Sequence, residues 1–225
     1  MAIQVGGTTV IDDSRNLSNV GGLKTVNGTS ILGSGNISAG GLEEVISTTT
    51  IGSAVSSLVL SWNNTGYEMI KLEFKNFIPS ATSSVFFRMQ VSSNGGSTFY
   101  SGSNDYKIAT FFTNQSINQF QVTAGTNNNL LMSYGSGNHV QGNNTSAYLG
   151  AWLSGEITLL NPGETTKPTF FLGRHFYGNI TTYYMSQAFT SGFLPPANAA
   201  TNAVKFFYDG ANITSGQVRV VGVKR

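Results

Sequence analysis

A chain of 225 residues is long enough to bury a real core, as one good-sized domain with an appendage or as two small domains. Charged residues make up only 10% of it, against about a quarter in ordinary globular domains, and polarity comes instead from Ser, Thr, Asn and 27 glycines, a mixture that excludes long helices as the main material. The net charge of +2 arises from dispersed bases, which argues against nucleic acid as a partner, and the absence of cysteine removes disulfides and thiolate metal sites.

Ile3–Val5 and Thr8–Ile11 flank Gly6-Gly7 and predict a small hairpin closed by a glycine turn. The opening MAIQVGGTTVIDDSRN has no basic region followed by an apolar core, so no secretory signal is expected. No apolar run approaches the roughly 18 residues of a membrane helix, and membrane insertion is not expected either.

From Leu17 the pattern changes. Leu17, Val20, Leu23 and Val26 are spaced by three, and Ile31, Leu32 and Ile37 follow among Gly21, Gly22, Gly28, Gly33 and Gly35. A helix would need mixed spacings of three and four and would lose about 1 kcal/mol at each glycine. A flat strand would need strict alternation. The spacing predicts an extended, glycine-rich arm whose apolar stripe returns every third residue to a common axis. Sister copies would supply its missing walls, three being the natural number for such an axis. The alternative is that the arm lies along its own domain.

A composition change after Ser38-Ala-Gly-Gly41 places a boundary there, dividing the chain into an arm, 1–41, and a head, 42–225. The head reads as all-β. In IKLEFKN, Ile70, Leu72 and Phe74 face one way and Lys71, Glu73 and Lys75 the other; in SVFFRMQV, Val85, Phe87, Met89 and Val91 oppose Arg88 and Gln90. Further strands are expected at 106–112, 117–122, 130–134, 155–160, 170–176, 182–188, 204–208 and 217–223. Their regular spacing predicts a jelly-roll-like β-sandwich. The Asn- and Gly-rich stretch 127–144 suits a mobile loop, and Phe193-Leu-Pro-Pro-Ala-Asn could hold one helical turn at most.

Chemistry is sparse. A glycan-cleaving site needs two carboxylates facing one another across a groove, and none of the ten acidic residues forms a recognisable pair by position. His139 sits in a glycine-rich loop, and His175 in LGRHFYG reads as a hydrogen-bonded strand residue rather than a base. The two are too far apart for a metal site; neither metal nor cofactor is expected. Binding has better material: Trp152, Tyr177, Tyr183 and Tyr184 lie amid Asn179, Thr181 and Thr182, the combination of ring and amide or hydroxyl that contacts glycans. The bland reading of these rings is core or interface filling.

Two stretches carry a resemblance. LKTVNGTSILGSGNI closely resembles a motif of tail-fibre and other fibrous proteins of tailed bacteriophages, and AIQVGGTTVIDDSRNLSNV is similar to the opening of many such proteins. TGYEMIKLEF, RMQVSSNGGSTFYSGSNDY and NITSGQVRVVGVK resemble a jelly-roll domain of phage fibre, receptor-binding and particle-surface proteins. The resemblance implies a homotrimeric virion protein, assembled in a host cytoplasm, whose arm meets other virion proteins and whose head faces outward toward host-surface polysaccharide. A short tail or baseplate fibre is the leading expectation. A capsid decoration or head-spike protein is the alternative, and a glycan depolymerase a weaker third.

Overall fold

The computed structural model describes residues 2–11, 25–26, 29–30, 42–63, 66–81, 84–114, 117–133, 140–141, 152–179, 184–194 and 200–224. The chain divides into two compact units, Met1–Gly41 and Leu42–Arg225. In the first, β1 (Ile3–Val5) and β2 (Thr8–Ile11) pair antiparallel. Gly6 and Gly7 join them with φ of 57° and 82°, the double left-handed turn whose twist matches the strands it connects. A shorter ladder joins β3 (Thr25–Val26) to β4 (Thr29–Ser30).

The second unit is a two-layer antiparallel β-sandwich, with no helix among the described residues. Its strands are β5 (Glu43–Ile51), β6 (Ser57–Ser61), β7 (Tyr67–Pro79), β8 (Ser84–Val85), β9 (Phe87–Ser92), β10 (Tyr106–Asn114) and β11 (Ile117–Asn127). There follow β12 (Leu130–Leu131), β13 (Val140–Gln141), β14 (Leu153–Leu160), β15 (Thr169–Asn179), β16 (Tyr184–Leu194), β17 (Ala203–Tyr208) and β18 (Ile213–Lys224). The large sheet runs β11-β10-β16-β15-β14-β7-β18-β5 and the small one β12-β9-β17-β6, while β8 and β13 form a separate short pair. The chain changes sheets at β5 to β6, β6 to β7, β9 to β10, β11 to β12, β16 to β17 and β17 to β18, so the layers are laced together rather than built one after the other.

Alternation explains which side chains meet between the layers. Ile70, Leu72 and Phe74 point inward from β7 as their spacing predicts, and Val85, Phe87, Met89 and Val91 do so from β8 and β9. At Asn76 the inward parity of β7 switches, so that Phe77 and Pro79 are buried beyond it. Asn76 takes φ of 56°, a left-handed conformation that asparagine tolerates better than most residues, and one extra residue at a bulge flips every later side chain to the other face. The switch brings Phe77 beside Phe74, Phe87 and Phe206, with ring centroids 5.5–6.0 Å apart, and Phe87 stacks on Phe206 at 5.5 Å. Offset and edge contacts of this kind add about 0.5–1.5 kcal/mol per pair to the burial of the rings themselves.

Three expectations need correction. The strand at 182–188 runs on to Leu194, so the Phe193-Leu194 start of the expected helical turn is strand; residues 195–199 lie outside the described set. The strand expected at 130–134 is only Leu130–Leu131, and Val140–Gln141, inside the stretch read as a loop, is a strand paired with β8. Arg88 and Gln90 do face away from the core, yet Gln90 is buried, because its amide donates to Asn128 O at 3.1 Å while Arg88 donates to Asn129 Oδ1 at 2.7 Å and pairs with Asp209.

Candidate functional site

The large sheet has one face on the core and one face outward, and on the outward face a single row crosses seven of its strands. In ladder order it is Thr48, Arg219, Glu73, Glu156, Arg174, Phe189 and Phe111. The row divides the face in two. On β5, β18 and β7 charges answer one another: Arg219 Nε donates to Glu73 Oε2 at 2.7 Å, and Lys71 pairs with Glu43. At the start of the domain, Glu44 accepts from Lys224 and from Tyr67, whose hydroxyl lies 3.1 Å away. These hydrogen bonds hold the Glu44 carboxyl below its ordinary pKa and raise that of Lys224.

On β15, β16 and β10 rings and a leucine take many of the outward positions. Phe111 is 43% exposed, Phe170 42%, Leu172 59% and Phe189 39%, with Phe176 and Phe193 half-buried beside them. Phe170 and Phe193 meet at 5.9 Å. They border a shallow hollow of about 590 Å3 with Lys107, Ala109, Thr126 and Ser191. Arg174 is the central cation of this half, and its guanidinium lies over Phe176 at 4.9 Å and Phe189 at 5.6 Å, with no carboxylate paired to it among the described residues.

Beneath the aromatic half the interior is partly polar. His175 is fully buried between Gly155 and Gly173: a Cβ on Gly155 would stand 2.7 Å from the His175 Cβ, and one on Gly173 would stand 3.0 Å from its Cε1. The two glycines leave the space that the imidazole fills. Its Nε2 lies 3.1 Å from Thr190 Oγ1, whose hydroxyl also stands 3.3 Å from Leu131 O. Nδ1 has no partner among the described residues, and burial lowers the pKa of His175 to about 3. It is a neutral core group, as LGRHFYG suggests. A general base would need to reach the surface.

A second concavity lies at the other end of the polar half, where the strands are bulged. Asn76 on β7 and Gly216 on β18, with φ of 56° and 145°, interrupt the ladder. Gly216 cannot take a side chain, since a Cβ there would stand 2.7 Å from the Phe77 ring. Bulges re-aim side chains, and here they open a groove of about 470 Å3 lined by Trp152, Asn76, Gln217, Lys75, Thr50 and Ser215, among others. Gln217 donates to Thr50 Oγ1 at 3.0 Å, which fixes its amide. The half-buried Trp152 supplies the aromatic ring of that wall.

The four rings expected to contact a glycan are therefore not one surface. Trp152 lines the groove; Tyr177 is completely buried in the core and offers no ring face to a ligand. Tyr184 opens β16, and Tyr183 lies outside the described residues. Of the arm positions read as trimer packing, Val26 falls in β3, while Leu17, Val20, Leu23, Ile31, Leu32 and Ile37 lie outside the described residues. His139 lies outside them too. Among the described residues no group of three or more His, Cys, Asp or Glu could hold a metal ion. Glu73 and Glu156 occupy facing positions on β7 and β14, but they stand side by side on an open face, with Glu73 held by Arg219.

Sequence reasoning missed the aromatic half. Its signal was present: Phe170-Phe171-Leu172 and Phe176-Tyr177 are apolar at both parities, the mark of a strand covered on both sides. Comparison with known proteins finds no match to a protein-family model, to a curated protein or to a solved structure.

Proposed function

We propose that this chain is a non-enzymatic virion structural protein of the phage fibre kind, a homotrimer whose leading arm joins the particle and whose β-sandwich head recognises a glycan of the host surface. The observation that carries the recognition part is the Trp152 groove. An indole face accommodates the apolar C–H face of a sugar, and the amides of Asn76 and Gln217, the hydroxyls of Thr50 and Ser215 and the Lys75 ammonium stand around it to bond ring hydroxyls. At about 470 Å3 the groove is within the roughly 300–1,000 Å3 usual for small-ligand sites. The spaced apolar residues Leu17, Val20, Leu23 and Val26 and the resemblance of the arm to phage fibre proteins support the virion part.

The test is adsorption to host cells and to their isolated surface polysaccharide. Trp152→Ala is expected to weaken adsorption by about tenfold or more, as removal of a central aromatic contact does, with the melting transition unchanged. Full adsorption by that variant would remove the groove from the account. A monomeric mass for the full chain in light scattering would remove the trimer.

A further inference from the structure

We infer that the aromatic half of the large sheet's outer face is the surface on which a second copy of this chain packs, with Arg174 of one copy meeting Glu156 of the next. The inference rests on the oligomeric reading above and adds the place on the head where copies touch.

Three observations lead to it. The first is area. The exposed fractions of Phe111, Phe170, Leu172 and Phe189, applied to side chains of roughly 150–250 Å2, leave on the order of 300–400 Å2 of large apolar surface in one patch. Half-exposed Phe176 and Phe193 and a rim of Lys107, Gln187, Ser191 and Thr158 extend it toward the ~800 Å2 per partner of a standard interface. The second is that the strands are no more apolar inside than outside: Thr110, His175, Ser186 and Thr190 face the core of the very strands that turn phenylalanines outward. A sheet face meant for water would place them the other way round.

The third is charge, and it selects the occupant. Arg174 and Glu156 face one another across β15 and β14, both exposed, yet Arg174 stacks on rings and Glu156 has no ion pair among the described residues. At the border of an apolar patch, a cation held on rings and an anion without an ion pair leave both charges open to a partner. A second copy brings the matching anion and cation. About a twofold axis Arg174 and Glu156 of each copy meet Glu156 and Arg174 of the other, and about a threefold axis Arg174 of each copy meets Glu156 of the next, so like charges stay apart.

The chain contains no cysteine, so single thiols can report cover directly. In the full-length protein at concentrations where light scattering shows multiple copies, Leu172→Cys is expected to react with a maleimide about tenfold more slowly than Thr48→Cys, an exposed position at the far end of the same face. Phe189→Cys reads the same surface should Leu172→Cys fold poorly. Arg174→Glu is expected to weaken association by about tenfold or more, and Arg174→Glu combined with Glu156→Arg to restore it. Equal labelling of both thiols in a multimer overturns this inference and leaves an arm-built oligomer standing. A monomer overturns both readings, and a protected thiol in it would assign the cover to the chain itself.

Discussion

Residues of one row across one sheet meet two different fates. From Thr48 to Glu156 the outward side chains are polar or charged and the inward ones beside them, Leu72, Phe74, Val218 and Val220, are apolar and buried. From Arg174 to Phe111 the outward side chains are mainly phenylalanine, and the inward ones include a buried histidine and two buried threonines. The backbone is the same antiparallel ladder throughout, so strand geometry does not cause the difference. What differs is what each half presents. The ion-paired half offers charges to water, whereas the aromatic half carries apolar surface outside and polar groups inside, the arrangement from which packing by a second copy is inferred.

The largest expected effect contrasts two adjacent residues of β15. Phe171→Ala empties a site that is 2% exposed and should lower stability by about 3–5 kcal/mol. Leu172→Ala should change stability by less than ~0.5 kcal/mol in dilute protein, as at ordinary surface sites. Denaturant midpoints measured over a range of protein concentrations check both, and the gap between the two variants should narrow as concentration rises, because association stabilises the folded form by mass action.

A smaller effect tests the polar interior beneath the rings. Burial holds the pKa of His175 at about 3 when folded, against 6.5 for the free side chain, so the unfolded chain takes up the proton first. The contribution is complete above pH 6.5 and is lost progressively as pH falls toward 3, with a slope of up to about 1.4 kcal/mol per pH unit. Urea unfolding at pH 7 and pH 5 should show His175→Gln losing less stability on acidification than the parent chain; an identical loss would mean that His175 is not held neutral.

The sequence made the period-two strands legible where one parity was polar, as in IKLEFKN, and there inward and outward side chains are assigned correctly. It failed where both parities were alike. In β5, STTT is polar at both parities, and in β6 the Leu58-Val59-Leu60 run is apolar at both, and no strand is expected from either; in β15 both parities are apolar, so nothing in FFLGRHFYG tells that Tyr177 shares the buried side with Phe171 while Phe176 shares the outer one. Trp152 is legible as a candidate contact ring, but its groove depends on the bulges at Asn76 and Gly216, which join residues from four distant stretches of chain. Neither spacing nor composition carries that information.

The contact between copies is tested most directly by mixing full-length chains that carry only Glu156→Cys with chains that carry only Arg174→Cys, and treating the assembled protein with a short bis-maleimide. Covalent pairs of chains should form in the mixture in greater yield than in either preparation alone. A multimer that yields no such pairs would contradict the packing of copies through the aromatic half of the sheet.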